Sequence, residues 1–322
     1  MPPRRHFLFL LSLGLVAGIA CFSSGFDPYY LDLLIMVGVN IILAVSLNLI
    51  SGHTGQFSLG HAGFMAIGAY LSTLVTVFWS DSLLASANEK LAGFAASPWG
   101  QNLLFLLALL TGGLCAAFAG LVVGGPSLRL RGDYLALVTL GFGEIVRVTF
   151  QNTETFGGAL GMYGLPDHTS FFWVYATVAC TLFVIGNLTD STWGRGFAAT
   201  RDDEIAAASI GINPTRYKII AFVVGAFFAG VAGALFAHFK MTIVPTGFDF
   251  TRSIEIVVMV ILGGMGNTRG VILAAILLTL LPEFLRPIAQ YRMVLYALLL
   301  IVLMILRPQG LFNFRFSRKK SA

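Results

Sequence analysis

The chain has 322 residues, of which 57% are hydrophobic and 11% charged, against about 25% charged in ordinary soluble domains. That balance excludes a soluble globular domain and places the chain among integral membrane proteins. The net charge of +5 is spread through short gaps between apolar runs rather than gathered in one patch, which marks membrane topology and excludes nucleic acid as a partner.

A bilayer core needs about 20 mostly apolar residues per helix. The sequence predicts spans near 7–24, 29–50, 57–79, 102–123, 133–150, 171–189, 218–239, 253–267, 270–284 and 292–306. The expected fold is an all-α polytopic bundle of about ten transmembrane helices, forming a single membrane domain over residues 1–322. The first span follows Arg4 and Arg5 and also has the form of a secretory signal. An uncleaved helix is the preferred reading, because the chain after it is itself membrane-embedded. Cys21, Cys115 and Cys180 fall inside apolar segments without metal-ligand spacing and are expected to be buried, inert thiols.

Between the second and third spans lies "SGHTGQFSLGHAG", which is polar and glycine-rich for a junction of membrane helices. Asn48, Ser51, Thr54, Gln56, Ser58 and His61 can hydrogen-bond there, and non-helical backbone at membrane depth survives where it packs on protein or lines a cavity. A translocation path and a tight cytoplasmic turn both fit. His53 and His61 have no carboxylate or Cys at ligand spacing, so no metal is expected. In the fifth span Glu144 and Arg147 stand three apart on one helical face, as a structural pair or as part of a path. Tyr134 is a further possible polar contact for the path, and Asn40 for helix–helix bonding. Glu255 and Glu283 are lone carboxylates near span ends.

The stretch 193–217 is the polar island of the chain. Arg201, Asp202, Asp203 and Glu204 precede "IAAASIG", so acidic residues open a short alanine-rich helix and complement its dipole. Gly211 and Pro214 are expected to stop it. Spacing alone leaves a solvated connector and a docking helix equally open. A second glycine-rich turn, "LGGMGNTRG", joins the eighth and ninth spans.

Ten crossings put both termini on one side. That side carries fourteen of the cations, namely Arg4, Arg5, Arg129, Arg131, Arg195, Arg201, Arg216, Lys218, Arg269, Arg307, Arg315, Arg318, Lys319 and Lys320. The other carries six, namely Lys90, Arg147, Lys240, Arg252, Arg286 and Arg292. Both termini are therefore expected in the cytoplasm. The outer connections are the longer ones, 80–101 and 151–170. The parity depends on full crossing by the fifth, eighth and ninth spans.

"TRDDEIAAASIGINPTRYKIIAF" resembles the cytoplasmic loop of bacterial importer permeases of the branched-chain amino acid type, in the ATP-binding cassette class. "NLISGHTGQFSLGHAGFMAIGAY", "LRLRGDYLALVTLGFGEIVR", "ILGGMGNTRGVILAA" and "LRPQGLF" resemble the larger of the two permeases of such importers, in the same order. The family's Glu-Ala-Ala pattern is displaced here by Ile205 after Glu204, with Ala206, Ala207 and Gly211 completing it. The resemblance implies an ATPase-coupling helix formed by Arg201, Asp202, Asp203, Glu204, Ile205, Ala206, Ala207 and Gly211. It implies a second related permease, two ATP-binding cassette subunits that hold ATP and magnesium, a periplasmic binding protein, and a multi-pass place in the bacterial inner membrane surrounded by lipid. No cofactor is expected on this chain and no residue in it is expected to be catalytic. The implied cargo is leucine, isoleucine, valine or another neutral amino acid, with urea and short amides as the alternative. No G-x-x-x-x-G-K-[ST] string is present, so energy must come from another polypeptide or from an ion gradient. An ion-coupled transporter would rely on Glu144.

Overall fold

The computed structural model describes residues 3–22, 25, 27–79, 97–127, 133–286 and a few isolated positions between 291 and 302. The tenth span near 292–306 lies almost wholly outside them. So do most of the connection 80–101, the motif at 306–312, Arg129, Arg131 and Lys90, and the terminal cations from Arg307 onward.

The helices are α1 (Pro3–Phe22), α2 (Pro28–Asn48), α3 (His61–Thr73), α4 (Pro98–Ser127), α5 (Asp133–Gln151), α6 (Phe171–Asp190), α7 (Thr192–Asp202), α8 (Glu204–Ser209), α9 (Pro214–Lys240), α10 (Phe250–Gly263) and α11 (Thr268–Phe284). Short polar side chains open most of them. Asp27, Ser191, Asp203, Asn213, Asp249 and Asn267 each accept a backbone N–H of the first turn of α2, α7, α8, α9, α10 and α11, satisfying groups that have no partner within the helix. Pro28 and Pro214 stand inside the first turns of α2 and α9, where the missing N–H costs nothing. Pro214 therefore starts a helix rather than merely stopping the one before it. The only sheet among the described residues is a two-residue antiparallel pair, β1 (Met162–Tyr163) with β2 (Thr242–Ile243).

Four helical stretches among the described residues are long and apolar enough to cross a membrane: Pro28–His53, Trp99–Gly125, Phe171–Asp190 and Pro214–Lys240. The third predicted span is helical only from His61, and residues 54–60 are not helical. α10 has 14 residues and α11 has 17, so at about 1.5 Å per residue both fall short of a core about 30 Å thick.

The packed centre is α3, α4 and α9, brought together by glycine. A Cβ on Gly68 would lie 2.0 Å from the Gly230 carbonyl oxygen, and one on Gly112 would lie 2.8 Å from that of Gly68. Small residues allow such backbone approach between membrane helices. α2 is buried on all sides over Val37–Asn48, packed by α6, α9, α10 and α11. Cys115 on α4 is only half-buried, at the edge of the core, and Cys180 on α6 is exposed. The expected burial of these two thiols does not hold.

Candidate functional site

The polar island folds as two helices, not one. Asp202 ends α7, and Asp203 breaks the chain in extended conformation. Its Oδ1 accepts from the backbone N–H groups of Ile205 and Ala206 at 2.8 and 3.0 Å. α8 closes where Ile212 N–H donates to the Ala207 carbonyl and Gly211 N–H to that of Ala208. That pair of hydrogen bonds requires a left-handed residue at the cap, and Gly211 supplies it at φ +87°. One face of α8 is buried through Ala207 (3% exposed), while Ile205 and Ile210 stand 70% and 74% exposed. A six-residue helix is not stable by itself. It is anchored by Glu204, which takes a 2.8 Å ion pair from Lys218 on α9.

Arg201 joins the island to the polar junction. Its Nε and Nη2 bond Asp202, and its Nη1 donates to the Gly52 carbonyl at 3.2 Å. Gly55, at φ +72°, lies directly on the Arg201 side chain. The junction itself begins where α2 widens into a π-helical turn, Leu49–His53, a feature that often marks functional sites. Asn48 Oδ1 accepts the Gly266 N–H at 2.8 Å, tying this hinge to the second glycine-rich turn. Thr54 bonds the Ile50 carbonyl, and Gln56 Nε2 donates to Thr54 and to the Lys218 carbonyl. The chain then runs non-helically inward. Leu59 N–H reaches Thr139 on α5, Ala62 N–H reaches Ser253 on α10, and His61 Nε2 pairs with Ser46 on α2 at 2.9 Å.

Six of the eight predicted path residues thus gather in one buried segment: Asn48, Ser51, Thr54, Gln56, Ser58 and His61. Asn48 Nδ2, Ser51 Oγ, His53 Nε2, Gln56 Oε1, Ser58 Oγ and His61 Nδ1 are buried without a protein partner. Each such group costs about 1–3 kcal/mol unless water or a ligand meets it. Between hinge and island opens a polar cleft of about 210 Å³, bounded by Thr54, Gln56, Phe57, Arg201, Glu204 and Lys218.

The other two path candidates both lie on α5. Tyr134 is 71% exposed. Glu144 is held by Arg147 at 2.8 Å and borders a small cleft with Gly63, Asp249 and Ser253. The sequence reading missed Arg252, counted there as an outer cation. Its Nη2 donates to Asn40 at 2.6 Å and its Nη1 to Glu255 at 2.8 Å, while Asn40 Nδ2 donates to Thr279. Asn40 stands twelve residues into α2, so this guanidinium lies inside the bundle. The available signal was its i,i+3 spacing to Glu255, the same as that of Glu144 and Arg147.

Residues 29–306 match the model of the family described as branched-chain amino acid transport system / permease component. The chain is similar to the high-affinity branched-chain amino acid transport system permease protein LivM of Escherichia coli, at 38% identity over 87% of this chain and 69% of that protein. It is also similar to the probable branched-chain amino acid transport permease protein LivM of Methanocaldococcus jannaschii, at 25% over 87% and 92% of the two chains. The high-affinity branched-chain amino acid transport system permease protein LivH of Escherichia coli is 25% identical over 84% and 90%. No solved structure gives a significant match.

Proposed function

The chain belongs to the branched-chain amino acid transport system permease component family, and from that premise we propose that it is the membrane subunit of an ATP-driven importer of branched-chain or other neutral amino acids. The observation that carries the coupling role is the mounting of α8. Its outer face offers Ile205 and Ile210 to a partner, Glu204 binds it to Lys218 on α9, and Arg201 at the end of α7 bonds the Gly52 carbonyl of the hinge. In this reading α8 docks on an ATP-binding cassette subunit, which holds ATP and magnesium, and Asp202 and Asp203 shape that contact. A second related permease completes the membrane pair and a periplasmic protein delivers cargo. In this reading the chain crosses the inner membrane about ten times with both termini in the cytoplasm, the short helices α10 and α11 completing their crossings through locally thinned bilayer or against neighbouring helices. Asn48, Ser51, Gln56, Ser58 and His61 offer polar atoms to the translocation path, and movement of α8 is passed to them through Arg201.

The test is co-purification of the tagged chain with its ATPase subunits, comparing wild type with Glu204→Arg and Gly211→Arg. Both variants are expected to lose the ATPases while the permease still elutes as a monodisperse peak. Retention of the ATPases by both, with [14C]leucine uptake intact, would refute α8 as the coupling helix.

A further inference from the structure

A groove between α1 and α6 remains outside everything described above. Its walls are apolar, with Phe9 and Val16 on α1 facing Tyr175, Ala179 and Leu182 on α6, and it encloses about 410 Å³. The Phe9 and Phe183 rings close one part of it at 4.5 Å. It shares Leu182 and Gly186 with an adjoining cavity of about 870 Å³ whose polar end is bordered by Thr189, Asp190, Thr268 and Arg269.

The order of these linings along α6 is informative. Apolar walls extend from Tyr175 to Gly186, about 17 Å at 1.5 Å per residue, close to half of a hydrocarbon core about 30 Å thick. The polar walls follow at the end of the helix, where Asp190 leads into the charged island. Apolar depth followed by a polar, charged end is the profile of one bilayer leaflet. Arg269 is exposed, and no salt bridge among the described residues engages it. Asp190 is already partnered, so among the described residues lining this cavity Arg269 is the cation without an ion pair.

We propose that this groove is a specific phospholipid site, with one acyl chain lying between α1 and α6 and the phosphodiester held by Arg269. An apolar slot open beside membrane helices takes hydrocarbon, and a guanidinium at its polar end selects a phosphodiester over an uncharged headgroup. The lipid fills the seam between α1 and the bundle, an element otherwise packed mainly on α6.

The test is native mass spectrometry of the delipidated full chain in detergent, titrated with phosphatidylglycerol and with diacylglycerol of the same chains. One phosphatidylglycerol is expected to remain bound at collision energies that strip further lipid. Arg269→Gln is expected to weaken that retention about fivefold, the contribution of one cation near a membrane surface. Ala179→Trp, which fills the slot, is expected to abolish it, and Leu114→Trp on the exposed face of α4 is expected to leave it unchanged. Equal retention of diacylglycerol and phosphatidylglycerol would overturn the proposal, as would persistence of the bound lipid in Ala179→Trp. Thermal stabilisation by inorganic phosphate equal to that by phosphatidylglycerol would also overturn it, in favour of a simple anion site.

Discussion

Replacing Gly52 by Ala tests the hinge at its tightest point. A Cβ there would lie 2.1 Å from Asn48 Oδ1, 2.3 Å from the Gly266 nitrogen and 3.0 Å from its Cα. Asn48 Oδ1 and the Gly266 N–H are the two ends of the 2.8 Å bond that joins the hinge to the second glycine-rich turn. The methyl group falls more than 1 Å short of ordinary contact with backbone, and backbone cannot rotate away as a flexible side chain can. Two effects follow. Overpacking costs about 1–3 kcal/mol, and loss of the bond, leaving buried groups unmet, costs about 1–3 kcal/mol more. The better helix propensity of Ala offsets about 1 kcal/mol. The net loss of about 1–5 kcal/mol corresponds to a fall on the order of 2–10 °C in melting temperature, measured by fluorescence-detected unfolding in detergent. Leucine uptake is expected to fall with it. Gly141→Ala is the matched control. Nothing lies within 4 Å of its Cβ position and its φ is not positive, so it is expected to be neutral or to raise stability by up to about 1 kcal/mol. Equal melting of wild type and Gly52→Ala, with uptake unchanged, would sink the argument that this contact holds the hinge.

Gly68→Ala drives a methyl into the Gly230 carbonyl at the α3–α9 crossing and is expected to destabilise by about 1–3 kcal/mol or more, read as a lower melting temperature without selective loss of ATPase binding. Asn40→Leu removes the acceptor of Arg252 Nη2. With one hydrogen bond to an inward-lying cation lost, about 1.5–3 kcal/mol of stability should go, and the added Glu255→Gln should cost further because Arg252 then keeps no anionic partner. Glu144→Gln leaves an importer powered by separate ATPases active, since Glu144 is already neutralised by Arg147. Abolished uptake with normal expression and ATPase binding would instead favour ion coupling.

What was legible in the sequence depended on how far away the deciding partner lies. The long apolar runs of α2, α4, α6 and α9 carry their own signal, because the bilayer requires length and apolarity and both are local properties. The island was equally visible, as charge amid apolar sequence. Its division was not. Asp202, Asp203 and Glu204 all suit a helix start, and only the extended backbone at Asp203 assigns the first to α7, the second to the cap and the third to α8. Composition also marked the hinge, but its pairing rests on Thr139, Ser253 and Gly266, which belong to elements far along the chain. Arg252 illustrates the limit best. A cation just before an apolar run reads as an interfacial anchor, and only its contact with Asn40 on α2 places it within the bundle.

The same distinction separates what is rigid from what can move. The α3, α4 and α9 crossing is held by backbone approaching backbone at Gly68, Gly112 and Gly230, and close-packed interiors of that kind resist gradual deformation. The hinge is pinned in the same way near its ends, where Gly52 meets Gly266 and Gly60 meets the Thr139 carbonyl, but it differs between those points. Between Asn48 and His61 it combines a π-turn, a non-helical run, a left-handed glycine and six buried polar atoms without protein partners, so its native energy is less strongly tied to one arrangement. Arg201 and the Glu204–Lys218 pair both attach to the island, and Arg201 bonds the hinge directly. A displacement of α8 reaches α9 through Glu204–Lys218 and the hinge through Arg201, and of these two paths the hinge is the one that carries six polar atoms without protein partners. Repartnering of the hinge's unmet polar groups, rather than separation of the central helices, is the low-cost response.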